Sequence, residues 1–480
     1  MDALKKLPIV IFAALLCLCA ARRSYAWSGD INVLLDANIS GGTLAGSAMT
    51  LSDASGRTAE LSGSPTVSRG GVSILVGSES FSLPLTVTAQ QPISWNGVPY
   101  RGIIEFKAAA AGLRVSNRVD AETYLRGVVP IEMNKGWPIE ALKAQAVLAR
   151  TYAATSGKHG EYQVCDDGHC QIYKGAAKES PQVDAAISET AGIILLWQGK
   201  PASVYYHSDS GGMVTGAENV WGGRVPYLRP VAEPIVVRGP NAVWQADIPM
   251  RRVESKLASA GITVGSISSI TPVRRDESGR VLTLEVRGSA GTKSVSGYKF
   301  RSIMGAQTIK STLFEFGGRT DYASTQSTAP EQPAPQTVSD TTPQKINITE
   351  MPTDAGKEEQ LVWLTKKGVF TTIELMEMLS RPEMADSYIK TGIARAEGRE
   401  PMPQRGTRSA SVPPPTARSA PAYTANLSMT PATGPTVQIF GRGYGHGVGL
   451  SQWGAKALAE DGWDYTRILG LYFPGTTTGQ

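Results

Sequence analysis

The segment DAETYLRGVVPIEM, residues 120–133, decides how this chain is interpreted. It ends on a lone carboxyl group, Glu132, between Ile131 and Met133 and shortly after Val128 and Val129. If these apolar side chains pack around the carboxyl group, its desolvation raises the pKa toward the range that a general acid needs near neutral pH. The segment therefore predicts an acid/base role for Glu132, and the alternative is an exposed glutamate in a turn.

A helix is predicted directly after this segment. Residues 139–155 are rich in Ala, Leu, Gln and Lys, and Pro138 precedes them where the first helical turn accepts proline. The pattern ends before Ser156 and Gly157. Within it, Gln145 and Arg150 are candidates for ligand contact, and Arg150 is also a candidate for orienting Glu132 by a hydrogen bond. The alternative for both is a solvated helix face.

Upstream, residues 27–117 predict an antiparallel β-rich region. They are rich in Gly, Ser, Thr and Val, and short stretches alternate between apolar and polar residues. Asn96 and Gly97, between two strand-like runs, indicate a hairpin turn.

The first 26 residues resemble a secretory signal. Lys5 and Lys6 precede an apolar run over residues 7–21, and a small-x-small cleavage pattern covers residues 24–26. The run is shorter than a membrane-spanning helix requires. We expect an exported protein of the periplasm or cell envelope, anchored in the membrane if the signal stays uncleaved.

Charge and cysteine content exclude two classes of protein. The net charge is +5, and the signal contributes four basic residues and one acidic residue, so the mature chain carries 5 − 3 = +2. This is too little to indicate a nucleic-acid partner. Cys165 and Cys170 are the only cysteines after the signal, which excludes a scaffold held by many disulfides.

The downstream sequence predicts one α+β domain that is interrupted by an insertion. A helix around 182–190, a buried strand at 204–207 and a strand at 281–287 follow from their patterns. Residues 321–436 form a low-complexity insertion whose flanks, 324–345 and 402–435, are rich in Pro, Ser and Thr. Between them lies a helical island at about 358–397, with a capped helix start at 370–376. Strand character resumes at 437–440 and a helix follows at 451–460, so the domain comprises residues 118–320 and 437–480.

Four potential metal ligands crowd into twelve residues: His159, Cys165, His169 and Cys170. Their nitrogen and sulfur atoms match the ligands of a closed, tetrahedral structural zinc site. The alternative is a disulfide between Cys165 and Cys170, which an oxidising compartment favours.

Several motifs together resemble the SpoIID/LytB family. The resemblance extends over about residues 98–316 and 437–475. The motifs are DAETYLRGVVPIEM at 120–133, EALKAQA at 140–146, ARTY at 149–152, YHSDSGG at 206–212, VWG at 220–222, PYL at 226–228 and GRGYGHGVGLSQWGA at 441–455.

This resemblance implies an α+β domain whose helices line an elongated cleft, and a lytic transglycosylase that cleaves denuded peptidoglycan glycan strands. The family's catalytic glutamate corresponds to Glu132 and a family arginine to Arg150, and some members carry zinc at the loop that matches 159–170. The residues expected to contact substrate are Arg150, Gln145, Tyr206, Ser208, Ser210, His446, Ser451 and Gln452.

A lytic transglycosylase needs only one carboxyl group, because the sugar's own C6 hydroxyl replaces the water that other glycosidases activate with a second carboxylate. Glu122 is a weaker candidate for a second carboxylate, and capping or ion pairing is its alternative role. Other family members are named as enhancers of a wall amidase, so a wall-binding protein without chemistry is the alternative function. A zinc-dependent amidase is a third hypothesis. The insertion is a candidate docking site for an amidase or another envelope protein.

Overall fold

We analysed a computed structural model that describes residues 28–157, 160–235, 237, 239–317, 357–366, 369, 385–396, 429 and 431–479. The predicted signal, residues 1–26, and most of the flanks of the insertion lie outside the described residues. By internal contacts the chain divides into two compact units, residues 1–320 with 419–480, and residues 321–418. Helices and antiparallel strands are mixed in the first unit, so the fold class is α+β, as predicted. None of the helices in the described part is long and apolar enough to cross a membrane.

The N-terminal region forms one twelve-stranded sheet. Its strands are β1 (Asp30–Ile39), β2 (Gly41–Asp53), β3 (Thr58–Gly63), β4 (Thr66–Gly70), β5 (Ser73–Val76), β6 (Glu79–Ser82), β7 (Leu85–Thr88), β8 (Ile93–Trp95), β9 (Val98–Tyr100), β10 (Ile103–Ala108), β11 (Leu113–Asp120) and β12 (Val164–Cys165). β1 pairs antiparallel with β11 and parallel with β12. Asn96 and Gly97 join β8 to β9 with φ angles of 48° and 84°, which confirms the predicted hairpin.

Three helices follow the sheet: α1 (Ala121–Glu132), α2 (Ile139–Thr155) and α3 (Pro181–Glu189). α1 begins directly after β11, where the Asp120 carboxylate accepts a hydrogen bond from the Thr123 N–H at 3.0 Å and caps the helix. α2 is buried along most of its length, and its alanines allow α1 and α3 to pack closely against it. The helices predicted at 139–155 and around 182–190 are confirmed.

The middle of the chain consists of short elements. They are β13 (Ile194–Trp197), β14 (Lys200–Pro201), β15 (Tyr206–His207), β16 (Met213–Val214), α4 (Glu218–Trp221), β17 (Val231–Ala232), β18 (Trp244–Pro249), α5 (Met250–Ser259), β19 (Ile267–Arg275), β20 (Val281–Gly288), β21 (Gly291–Ser296), α6 (Gly297–Met304) and β22 (Phe314–Phe316). β20 confirms the strand predicted at 281–287. The strand predicted at 204–207 is shorter than expected, because only Tyr206 and His207 pair with another strand.

The unit at 321–418 contains two described helices, α7 (Lys357–Lys366) and α8 (Ala385–Ala396). They pack against each other, and Lys357 forms an exposed ion pair with Asp386 at 2.6 Å. Both lie within the predicted helical island. The helix start predicted at 370–376 lies outside the described residues.

After the insertion the chain returns to the first unit. Its elements are β23 (Thr436–Gly441), β24 (Leu450–Ser451), α9 (Gln452–Glu460), α10 (Tyr465–Tyr472) and β25 (Thr477–Gly479). β23 lies between β18 and β22 in a three-stranded sheet, β24 pairs with β15, and β25 pairs with β13. The last elements are therefore part of the same fold as the residues before the insertion.

Candidate active site

Glu132 is the last residue of α1 and is half-buried. The backbone N–H of Ile172 donates a hydrogen bond to its Oε1 at 3.1 Å. The side chains of Tyr206, on β15, and Gln452, at the start of α9, lie close enough to favour its charged form. Segments that are distant in the sequence thus converge on one carboxyl group.

The surroundings of Glu132 act on its pKa in two directions. Burial raises the pKa of the carboxyl group above its ordinary value, whereas the hydrogen bond from Ile172 and the neighbouring Tyr206 and Gln452 side chains lower it in part. The C-terminal end of α1 adds to the effect of burial, since the helix dipole disfavours a negative charge there. This carboxyl group can hold a proton at a higher pH than an exposed glutamate and is still stabilised after losing it, as an acid that later acts as a base requires.

Gln171 links the loop before Ile172 to the site. The Tyr124 hydroxyl donates to Gln171 Oε1 at 3.2 Å, and Gln171 Nε2 donates to the Tyr206 hydroxyl oxygen at 3.1 Å. Because the Tyr206 oxygen accepts this hydrogen bond, the hydroxyl hydrogen of Tyr206 remains available for another acceptor. Gln171 is absent from the predicted site, because a single glutamine in a loop follows no sequence pattern.

Gly127 allows this loop to approach α1. A Cβ atom at position 127 would lie 2.4 Å from the Tyr173 ring and 2.6 Å from the Gly175 carbonyl oxygen. Only glycine permits this separation, and the separation lets Ile172 reach Glu132.

The structure corrects the prediction for Arg150. Its side chain is fully buried, and Nε and Nη2 bind the Glu122 carboxylate at 2.8 and 2.6 Å. A further guanidinium N–H donates to the Ile193 carbonyl at 2.9 Å. Arg150 is therefore not accessible to a ligand from solvent and does not bind Glu132. It forms an internal ion pair with Glu122. The same pair gives Glu122 the ion-pairing role that was the alternative to a second catalytic carboxylate.

His446 lies in the glycine-rich segment and uses both ring nitrogens locally. Its Nδ1 accepts a hydrogen bond from the Val448 N–H at 3.1 Å, so Nε2 carries the proton and donates it to the Tyr206 carbonyl at 3.0 Å. Burial lowers the pKa of His446 to about 4, so the ring is neutral at physiological pH. Ligand contact through these ring nitrogens is excluded by the backbone partners, and only the ring face remains for it.

Ser451 and Ser210 are fully buried. Ser451 Oγ caps α9 by accepting from the Gly454 N–H at 3.1 Å, and it also accepts from the Ser210 N–H at 3.2 Å. Ser210 Oγ accepts from the Gly212 N–H at 2.9 Å. The prediction that these two serines contact substrate is therefore wrong, since they hold the backbone together below the surface.

Gln145 is also fully buried on α2, so the predicted substrate contact is wrong for this residue as well. Neither of its amide atoms has a hydrogen-bond partner in the described part of the chain. Ser208 is half-buried, and its carbonyl accepts from the Trp453 N–H at 3.0 Å. Contact of Ser208, Tyr206 and Gln452 with a substrate stays a prediction.

Two buried charged residues behind the site are absent from the predictions. Glu233 accepts a hydrogen bond from the Tyr472 hydroxyl at 2.7 Å, and burial raises its pKa. Arg280 donates to the Ser210 carbonyl at 2.5 Å, and a Cβ at Gly447 would lie 2.5 Å from the Arg280 Cζ. The Arg280 guanidinium thus packs directly against Gly447 in the glycine-rich segment. Arg280 directly precedes β20, and the local sequence there does not distinguish a buried arginine from an exposed one.

The predicted metal ligands Cys165, His169 and Cys170 lie together. Their donor atoms are within 4.8 Å of one another, and His169 Nδ1 lies 3.8 Å from Cys165 Sγ and 3.5 Å from Cys170 Sγ. Zinc bonds of about 2.0–2.3 Å in tetrahedral geometry separate ligand atoms by roughly 3.5–3.8 Å, so these residues fit a zinc ion. The two cysteines are not joined in a disulfide. The fourth predicted ligand, His159, lies outside the described residues.

The fold and site define an α+β protein in which the half-buried Glu132 carboxyl group accepts hydrogen bonds and lies next to the loop that follows a cysteine–histidine cluster. Residues 109–197 match the family model described as SpoIID, Stage II sporulation protein. Over these residues the match agrees with the predicted resemblance to the SpoIID/LytB family.

Curated relatives agree with this family. An uncharacterized protein of Brachyspira hyodysenteriae is 30% identical over 47% of this chain and 61% of its own length. The amidase enhancer of Bacillus subtilis is 27% identical over 74% of this chain and 40% of its own length. Stage II sporulation protein D of Bacillus amyloliquefaciens is 28% identical over 41% of this chain and 60% of its own length. The chain thus matches between 40% and 61% of the length of these three relatives.

Proposed function

We propose that this protein is a peptidoglycan lytic transglycosylase and that Glu132 is its single acid/base. The observation that carries the proposal is a half-buried carboxyl group whose pKa is raised by burial, while one N–H and two polar side chains stabilise its charged form. The family match and the amidase-enhancer relative support a role at the cell wall.

The reaction has two proton transfers. The protonated Glu132 carboxyl donates its proton to the glycosidic oxygen, the C1–O bond of the muramic residue breaks, and an oxocarbenium-like state forms. The Glu132 carboxylate then accepts the proton of that sugar's C6 hydroxyl, whose oxygen bonds to C1 and closes a 1,6-anhydro ring. Because this attack is intramolecular, its high effective concentration replaces a positioned water and a second carboxylate.

The neighbours of Glu132 have defined tasks in this scheme. Since the Ile172 N–H binds Oε1, the other carboxyl oxygen holds and transfers the proton. Tyr206 and Gln452 stabilise the carboxylate that forms after the first transfer, and we expect both side chains to contact the sugar. Gln171 fixes the Tyr206 hydroxyl.

We further propose that Cys165, His169 and Cys170 hold a structural zinc ion, with His159 as the fourth ligand. Such a closed site supplies folding stability and no reaction step. Its consequence for catalysis is positional, because Gln171 and Ile172 directly follow Cys170 and contact Tyr206 and Glu132.

A second candidate function is stimulation of a wall amidase by binding to peptidoglycan. The relative named amidase enhancer supports it, as its similarity extends over 74% of this chain. In this case the insertion is a candidate contact for the amidase or another envelope protein. For both functions we propose that the protein is exported to the cell envelope.

One assay separates these functions. Purified protein is incubated with denuded glycan strands and the products are analysed by mass spectrometry, with Glu132→Gln as the matched variant. The transglycosylase predicts 1,6-anhydro-muramyl ends that disappear in Glu132→Gln. Absence of cleavage by the wild type, together with wall binding and amidase stimulation that Glu132→Gln leaves intact, would reject the enzyme in favour of the enhancer.

A further inference from the structure

An exposed aromatic cluster lies next to the glycine-rich segment. Trp221, the last residue of α4, keeps 44% of its surface exposed. Its ring centroid is 4.5 Å from that of Tyr205 and 5.2 Å from that of His446. The indole therefore packs against two rings, and 44% of the Trp221 surface remains exposed.

The support holds the indole in a fixed orientation. Both ring nitrogens of His446 are bound to backbone atoms, so its ring cannot rotate without losing two hydrogen bonds. Gly222 ends the helix directly after Trp221 in a left-handed conformation with φ of 82°, which an ordinary residue adopts only with strain. A large apolar ring fixed in this way and left open is typical of a binding surface.

Two contact paths connect this cluster to Glu132. In the first, the His446 ring beside Trp221 donates to the carbonyl of Tyr206, whose side chain lies next to Glu132. In the second, Tyr205 lies near Tyr152, whose hydroxyl interacts with Cys170, and Cys170 directly precedes the loop residues that contact Tyr206 and Glu132. Trp221 is therefore linked to Glu132 through His446 and Tyr206.

We propose that Trp221, backed by Tyr205 and His446, is a stacking platform for a pyranose ring of the glycan strand. A pyranose ring has an apolar face of C–H groups and polar hydroxyl groups around its edge. A fixed indole face can pack against the C–H groups. Ligand sites combine such apolar surfaces with a few oriented polar groups, here those around Glu132. The inference rests on the proposed function for its ligand and adds a binding subsite that is separate from the reacting bond.

The test measures affinity without turnover. A soluble tetrasaccharide of denuded glycan is titrated into Glu132→Gln protein by calorimetry, and Trp221→Ala and Trp221→Phe are then added to that background. Truncation of a well-packed aromatic anchor is expected to weaken binding at least about tenfold. Trp221→Phe keeps an aromatic face and should retain part of the affinity. Near-UV circular dichroism and thermal unfolding show that each variant is folded.

Trp463 provides a matched control. It is a half-buried tryptophan whose ring lies under the Arg467 guanidinium, 3.5 Å from the ring centroid. Trp463→Ala removes an indole of the same size and should leave the affinity unchanged. Equal losses in Trp221→Ala and Trp463→Ala would overturn the platform, because they would reflect general destabilisation.

Kinetic measurements on protein that retains Glu132 distinguish this inference from the proposed reaction. Trp221→Ala should raise KM for glycan with little change in kcat, the pattern of an interaction made equally in ground and transition states. Cleavage that depends on Glu132 with an unchanged KM and affinity in Trp221→Ala would overturn the platform and leave the transglycosylase standing. Binding that depends on Trp221 without any cleavage would support the stacking platform and reject the transglycosylase.

Discussion

The two ends of α1 carry one glutamate each, and the structure gives them opposite surroundings. Glu122, in the first turn, binds the buried Arg150 guanidinium through both carboxylate oxygens. Glu132, the last residue, is near no basic side chain that shifts its pKa, and burial dominates there. The helix dipole adds to the contrast, since it favours a negative charge at the first end and disfavours it at the second.

This comparison shows why one carboxyl group is suited to proton transfer and the other is not. Both oxygens of the Glu122 carboxylate accept hydrogen bonds from the Arg150 guanidinium, so this group is engaged in an internal ion pair. A desolvated carboxyl group without a cationic partner accepts and releases a proton more readily near neutral pH. The identical side chain thus has a structural role at position 122 and the proposed chemical role at position 132.

The largest expected effect is on activity. Glu132→Gln should reduce glycan cleavage roughly 10²- to 10⁴-fold, the range for loss of a general acid/base. The mass-spectrometric product assay gives the rate. A matched Glu122→Gln protein, assayed at a temperature where it is folded, should retain cleavage. Equal activity losses in the two variants would remove the distinction between the helix ends.

The next largest effect is on stability and results from a change at Glu122, in the first turn of α1. Glu122→Ala leaves the Arg150 charge buried without its carboxylate and should lower the free energy of unfolding by about 3–5 kcal/mol. Urea unfolding followed by circular dichroism measures it. A loss below 1 kcal/mol would mean that the Arg150 guanidinium finds other partners or water.

Removal of the proposed zinc ion should lower the cleavage activity that depends on Glu132, at the C-terminal end of α1. If zinc holds Cys165, His169 and Cys170, purified protein should contain about one zinc per chain. Chelation, or Cys165→Ser, should then lower cleavage, because the Ile172 N–H loses its fixed position beside Glu132. Atomic absorption and the cleavage assay are the measurements. Protein that lacks zinc and retains full activity would contradict this link.

The smallest effect is the pH dependence of stability. The folded-state pKa of Glu132 is raised, so above it the carboxylate is charged in the folded and unfolded chains and its desolvation costs stability. Glu132→Gln should therefore raise the melting temperature slightly near pH 8. The difference should vanish as the pH falls below the unfolded-state value of about 4.3, because both states are then protonated. A difference that grows on acidification would have the wrong sign.

The elements predicted correctly from the sequence are those defined by patterns of neighbouring residues. The helices at 139–155 and 182–190, the hairpin at Asn96 and Gly97, and the α+β class all follow from periodicity, caps and turn residues within short windows. Glu132 is half-buried rather than exposed, but the groups shown at its carboxyl group come from Ile172, Tyr206 and Gln452 in distant segments.

The sequence did not predict which polar residues meet across the fold. Arg150 binds Glu122 rather than Glu132, because α1 and α2 pack so that the first turn of α1 faces the Arg150 side chain. The Ser451 hydroxyl oxygen accepts a hydrogen bond from the Ser210 N–H, 241 positions away in the chain. Such contacts depend on tertiary packing, and Gln171, Glu233 and Arg280 lack any local pattern that reports it.

The return of the chain after the insertion has a consequence for how the protein can be divided. β22 and β23 are antiparallel neighbours, with Phe316 opposite Ile439, although more than a hundred residues separate them in the chain. Residues 436–479 supply the central strand of that sheet, Gln452 beside Glu132, and His446 beneath Trp221. A polypeptide that stops before β23 would therefore lack both the central strand of that sheet and the Gln452 side chain of the candidate active site.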